Sequence, residues 1–198
     1  MISIRRTAAH EVGHVIMSRV FEGLLKTNFV TIDPAHSRTI DAKSAGGFSV
    51  RPLKGDYTII EHDQLFLIFL GGMSAEDLFN TNGVLPMIDL DYNLISRKLD
   101  MKQFDGDIGF MENQFGFLKE HIRISYHDYI KSALEFSYLI LSKEEVWDAH
   151  KKLSHALLSS EDKRLNAEQI NNVLCQTNLE EWVLINKKFL SSRHGLFG

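Results

Sequence analysis

The chain runs to 198 residues with 44% hydrophobic side chains and thirteen phenylalanines, enough apolar material for the core of one domain. A net charge of −4 with no basic block excludes nucleic acid as a partner, and a single Cys175 with no second thiol to pair with fits a reducing compartment. No signal peptide precedes the first histidines, and the most apolar run, Leu65 to Leu70, is too short to cross a bilayer, so a cytoplasmic protein with no membrane span is expected.

Residues 4 to 22 read as a first helix. Ala8, Val12, Val15, Ile16 and Val20 give it an apolar side, and Gly13 marks a place where something packs closely. Phe29, Val30 and Ile32 read as a short strand stopped by Pro34. SAGGFSVRP, residues 44 to 52, reads as a second strand, opened by Gly46 and Gly47 and closed by Pro52, a placement that suits a sheet edge. From Asp56 to Asn80 the pattern turns helical through Leu65, Ile68, Phe69, Met73 and Leu78, with Gly71 and Gly72 as a close-packing point. Phe66, Phe69 and Phe79 are expected in the core.

Asn82 and Gly83 form a turn, and Pro86 precedes a helix from about Asp89 to Phe104. Beyond residue 105 the pattern predicts helices only, over 112–120, 125–142, 143–159 and 167–174. An Asn166/Gln169 capping box opens the last of these. SSEDKRLNAEQ reads as a solvated connection. A further amphipathic helix over 178–190 and a loose SSRHGLFG tail complete the chain. The expected architecture is mainly α, with a small β element beside the first helix. One domain spans 1–176, and residues 177–198 are appended to it.

The stretch TAAHEVGH carries the chemistry. Residues i and i+4 share one face of a helix, so His10 and His14 can point their imidazoles at one ion, with Glu11 beside them. Two neutral imidazoles and a carboxylate are a good zinc donor set that leaves a fourth position for water. A glutamate beside that water can take its proton and pass it to a leaving amine. A third ligand has to come from elsewhere. The extension H-E-x-x-H-x-x-G-x-x-H is excluded, because Met17 and Val20 stand where it needs glycine and histidine. Spacing leaves four carboxylates open: Glu76, Asp77, Asp89 and Asp91. Glu76 is also a candidate for orienting a ligand histidine. His121, His127, His150 and His155 read as surface or semi-buried side chains rather than a second metal cluster.

Thr7, Ala8, His10, Glu11, Gly13 and His14 resemble the T-A-x-H-E-A-G-H signature of the peptidase domain of FtsH-type ATP-dependent zinc metalloproteases. AGGFSVRP resembles the short strand beside that family's substrate cleft, and GGMSAEDLF its G-G-R-A-A-E-E-L helix, at Gly71, Gly72, Ala75, Glu76 and Leu78. The resemblance spans about residues 4 to 174 and carries neither the family's AAA ATPase module nor its membrane anchor. It implies a helical zinc-metallopeptidase-like domain, independent of ATP as a lone chain, with Zn²⁺ as cofactor.

In that family an aspartate opening a later helix is the third ligand, followed by apolar or small residues at +1, +4, +5 and +8. Asp91 fits with Tyr92, Ile95, Ser96 and Leu99, whereas Asp89 meets Asn93 and Arg97. The resemblance thus implies His10, His14 and Asp91 as metal ligands and Glu11 as general base. The strand Gly46, Gly47, Phe48, Ser49 and Val50 is expected to hold a polypeptide substrate by β-addition. A homo-oligomer or a separate ATPase is the expected protein partner. The competing expectation is a catalytically silent peptidase scaffold acting as a protein-interaction module.

Overall fold

A helix that is apolar around most of its circumference has to sit inside a protein. Helix α1 (Ile4–Val20) lies inside although it also carries polar side chains, and every residue from Ala8 to Ser18 is buried, the two histidines and Glu11 included. The computed structural model describes residues 4–37, 46–81 and 105–197, and the expected helix from Asp89 to Phe104, with Asp89 and Asp91, lies outside them. After α1 come β1 (Leu25–Thr31), α2 (Pro34–Ser37), β2 (Gly47–Pro52) and α3 (Ile59–Asn80). A Thr58/Glu61 capping box starts α3 three residues later than the pattern suggested.

The second half holds α4 (Asp105–Leu118), α5 (Tyr126–Leu141), α6 (Glu144–Ser159), β3 (Arg164–Asn166) and α7 (Ala167–Leu174). The expected Asn166/Gln169 capping box is formed. Helices α8 (Leu179–Ile185) and α9 (Lys187–Leu190) and a 3₁₀ turn (Ser192–Leu196) end the described chain. The fold is mainly helical with a three-stranded antiparallel sheet, in the order β2-β1-β3. None of its described helices is long and apolar enough to cross a membrane.

Helix α1 is packed by α3, α6, α8 and the strands β1 and β2. It runs antiparallel to α3, since Gly13 and Met17 meet Gly71 while His10 and His14 meet Gly72. A Cβ on Gly13 would lie 2.5 Å from the Gly71 carbonyl oxygen, and one on Gly71 would lie 2.5 Å from Met17 Cγ. These glycines let two backbones approach closely, as the sequence suggested, and side chains would force them apart.

Four expectations need correcting. SSEDKRLNAEQ is not merely a solvated connection, because β3 lies within it, pairs with β1 and buries Leu165 against the core. The predicted helix over 178–190 breaks at Asn186, whose side-chain amide donates to the Trp182 carbonyl and competes with the helical ladder. The tail is not loose. Arg193 is 5% exposed and its guanidinium grips Asp63 at 2.8 and 3.0 Å, with Tyr129 donating to the same carboxylate at 2.7 Å. Phe66 and Phe69 are core residues, but Phe79 on the last turn of α3 is 37% exposed.

Candidate metal centre

Arg6, His10 and His14 lie one turn apart along a single stripe of α1, and that stripe faces α3 and the first turn of α4. The two Nε2 atoms are 3.1 Å apart. Asp107 Oδ2, from α4, is 2.9 Å from His10 Nε2 and 3.3 Å from His14 Nε2. The rings stand edge to face, with planes at 84°. Gly72 makes the room, for a Cβ there would lie 2.4 Å from His14 Nε2 and 2.9 Å from His10 Cε1.

The outer nitrogens fix which way the lone pairs point. His14 Nδ1 is 3.0 Å from the Ile68 carbonyl oxygen, which can only accept, so Nδ1 carries the proton and donates. His10 Nδ1 faces Glu76 Oε2 at 3.3 Å, an ion-pair contact that likewise places a proton on Nδ1. Both Nε2 lone pairs and the Asp107 oxygen therefore converge on one point. Three lone pairs this close repel unless a cation lies among them. A tetrahedral zinc with bonds of ~2.0–2.1 Å holds its ligand atoms roughly 3.3 Å apart, close to the spacing found. His10, His14 and Asp107 can hold a metal ion.

The electrostatics agree with that geometry. Burial works against a charged His10, but the Asp107 and Glu76 carboxylates override it and hold the ring at about 10. Burial pushes Asp107 upward, and His14 and His10 pull it far below the ordinary carboxylate range. The cluster favours positive charge at its centre, carried by a proton or by a metal. Glu11 responds differently. Burial raises it to about 7, against the opposing pull of His10 and His14, which suits a group that must gain and lose a proton near neutrality.

Strand β2 passes directly over this helix. A Cβ on Gly46 would lie 2.7 Å from Glu11 Oε1, and the Phe48 ring lies nearly parallel to His14 at a centroid distance of 5.7 Å. One edge of β2 pairs with β1, and among the described residues no strand pairs with the other. The expected edge strand beside the histidines is thus present.

Of the residues singled out from sequence, the fold brings together His10, Glu11, His14, Glu76 and the strand from Gly46 to Val50. Asp77 points elsewhere and accepts from Tyr138 at 2.6 Å. Asp89 and Asp91 lie outside the described residues. Asp107 was missed. Its signal is partial: Ile108, Met111 and Phe115 are apolar at +1, +4 and +8, but Glu112 stands at +5. Gly106 and Gly109 also obscure the start of α4, which the periodicity placed at 112. No protein-family model and no curated protein matches the chain.

Proposed function

We propose that the chain is a zinc-dependent peptidase, with His10, His14 and Asp107 holding the ion and Glu11 acting as general base. The observation that carries this reading is the convergence of three lone pairs on one buried point beside a carboxyl group raised to about 7. Two imidazoles and one carboxylate are a donor set that suits zinc and leaves a position open. When bound, the ion supplies a Lewis acid that polarises the scissile carbonyl and acidifies water.

Glu11 accepts the proton of the attacking water and returns it to the departing amine. The edge of β2 that no other described strand pairs with receives the substrate backbone as an added strand and leads it past Gly46 to Glu11. Main-chain pairing gives affinity with little dependence on side chains, which suits a polypeptide substrate.

Zinc content and casein cleavage, measured together on wild type and Glu11→Gln, test the proposal. Bound zinc in both, with cleavage only in wild type, is the expected result. Zinc without cleavage in wild type would instead favour a silent peptidase scaffold that binds other proteins. Wild type that takes up no zinc would end the metal reading.

A further inference from the structure

The stripe on α1 begins one turn before the first histidine, at Arg6. Its Nε and a terminal nitrogen both contact Glu76 Oε1. The other oxygen of that carboxylate, Oε2, faces His10 Nδ1 at 3.3 Å. The two oxygens are thereby divided, one to the guanidinium and one to the imidazole. The side chain of Glu76 is 5% exposed and that of Arg6 is 37% exposed. A buried carboxylate on α3 is thus held from the partly open side by a fork of fixed planar geometry.

The geometry points to Arg6 as a positioning residue of the metal site, acting through Glu76 on the ring of His10. The inference rests on the metal reading proposed above. A carboxylate that accepts from a ligand histidine fixes the tautomer and tilt of the ring and strengthens it as a donor. It does so only while one oxygen stays aimed at the ring. With Oε1 anchored by two guanidinium nitrogens, rotation of the Glu76 carboxylate would break both contacts, so Oε2 stays on His10 Nδ1. Gly72, one turn before Glu76 on α3, lets that helix pack directly against both rings. The Arg6–Glu76 pair thus bears on the orientation of His10 at Nδ1, the nitrogen away from Asp107.

The test is a double-mutant cycle on the full chain, read as the zinc dissociation constant in competition with a chromophoric chelator. The variants are Arg6→Ala, Arg6→Lys, Glu76→Gln and the Arg6→Ala/Glu76→Gln pair. Loss of an outer partner of a ligand typically weakens metal binding ~10–100-fold, so Glu76→Gln should fall in that range and Arg6→Ala near about 10-fold. Arg6→Lys keeps a cation on Oε1 and should recover most of that loss. In the Glu76→Gln background, Arg6→Ala should add less than about 2-fold, because the residue through which it acts is already changed.

Metal-free unfolding of Arg6→Ala, followed alongside, separates positioning from simple stability. A small change there beside a large change in affinity is expected. Equal factors for Arg6→Ala in both backgrounds, or wild-type affinity in Arg6→Ala, would overturn the inference while leaving the metal site standing. Failure of wild type itself to bind zinc would overturn the site and the inference together.

Discussion

His10 Nε2 and Asp107 Oδ2 lie 2.9 Å apart although 97 positions separate them in the chain. The contact joins the first helix to the first turn of α4, and it completes a three-residue cluster that could hold a metal ion, which the histidine pair alone could not. Asp107→Ala should therefore lose bound zinc by more than the ~10–100-fold expected for an outer partner, and lose peptidase activity with it. Metal analysis of purified Asp107→Ala beside Asp91→Ala decides which aspartate is the ligand. Zinc kept in Asp107→Ala and lost in Asp91→Ala would return the role to Asp91.

Glu11 should separate turnover from metal binding. Glu11→Gln keeps the shape of the side chain but cannot accept a proton, so zinc stays and the rate falls by about 10²–10⁴-fold. Because burial raises Glu11 to about 7, its base form disappears as pH falls. Activity should therefore decline on the acid side of an inflection near or below pH 7, since a cation close by favours the ionised carboxylate. A pH–rate profile with no acid limb would contradict the role.

Two glycines should respond to alanine with opposite signs. Gly116 on α4 has open space where a Cβ would go, so Gly116→Ala should stabilise by about 0.5–1 kcal/mol through backbone entropy alone. Gly72→Ala drives a methyl group into both imidazoles, and overpacking of this kind costs about 1–3 kcal/mol. It should also abolish zinc uptake. Urea unfolding with metal analysis of both variants provides the comparison.

Arg193 should matter more than its place near the chain terminus suggests. Removing one member of a buried ion pair leaves the other charge uncompensated, at a cost of roughly 3–5 kcal/mol. Arg193→Ala strands Asp63 with Tyr129 as its remaining hydrogen-bond donor among the described contacts. An unfolding midpoint unchanged from wild type would show that the tail does not hold α3 and α5 together.

His150 donates from Nε2 to the Ala9 carbonyl oxygen at 2.9 Å, inside the contact of α6 with α1. Burial lowers it from 6.5 to about 4, so between these values the unfolded chain binds a proton that the fold refuses. Its contribution is complete above pH 6.5 and declines as pH falls towards 4, by up to about 3 kcal/mol. The difference in unfolding free energy between wild type and His150→Gln, followed from pH 7 to 4, should narrow accordingly.

What the sequence revealed was local. His10, Glu11 and His14 share one helix, so the 3.6-residue period alone brings them together. Gly13, Gly71 and Gly72 were legible because glycine inside a helix is unfavourable without a packing reason. The edge strand was legible from the glycines that open it and the proline that closes it. What it concealed was long-range. Asp107 joins the site through a tertiary contact, in a turn whose glycines resemble a loop. Strand β3 is three residues set among polar neighbours, and only pairing with β1 makes it a strand. Arg193 is buried by an aspartate 130 positions away, and no local pattern in SSRHGLFG announces that.

The junction of α1 with α4 has a topological consequence. A cation held by His10, His14 and Asp107 ties the polypeptide into a closed ring, and any unfolded form that kept the tie would have far fewer arrangements open to it. For a loop of this size the chain-entropy relation for a covalent cross-link gives about 5 kcal/mol. The ion would therefore serve as a reversible staple as well as a reagent. A chelator would then unfasten the architecture at the same moment that it disarms the chemistry.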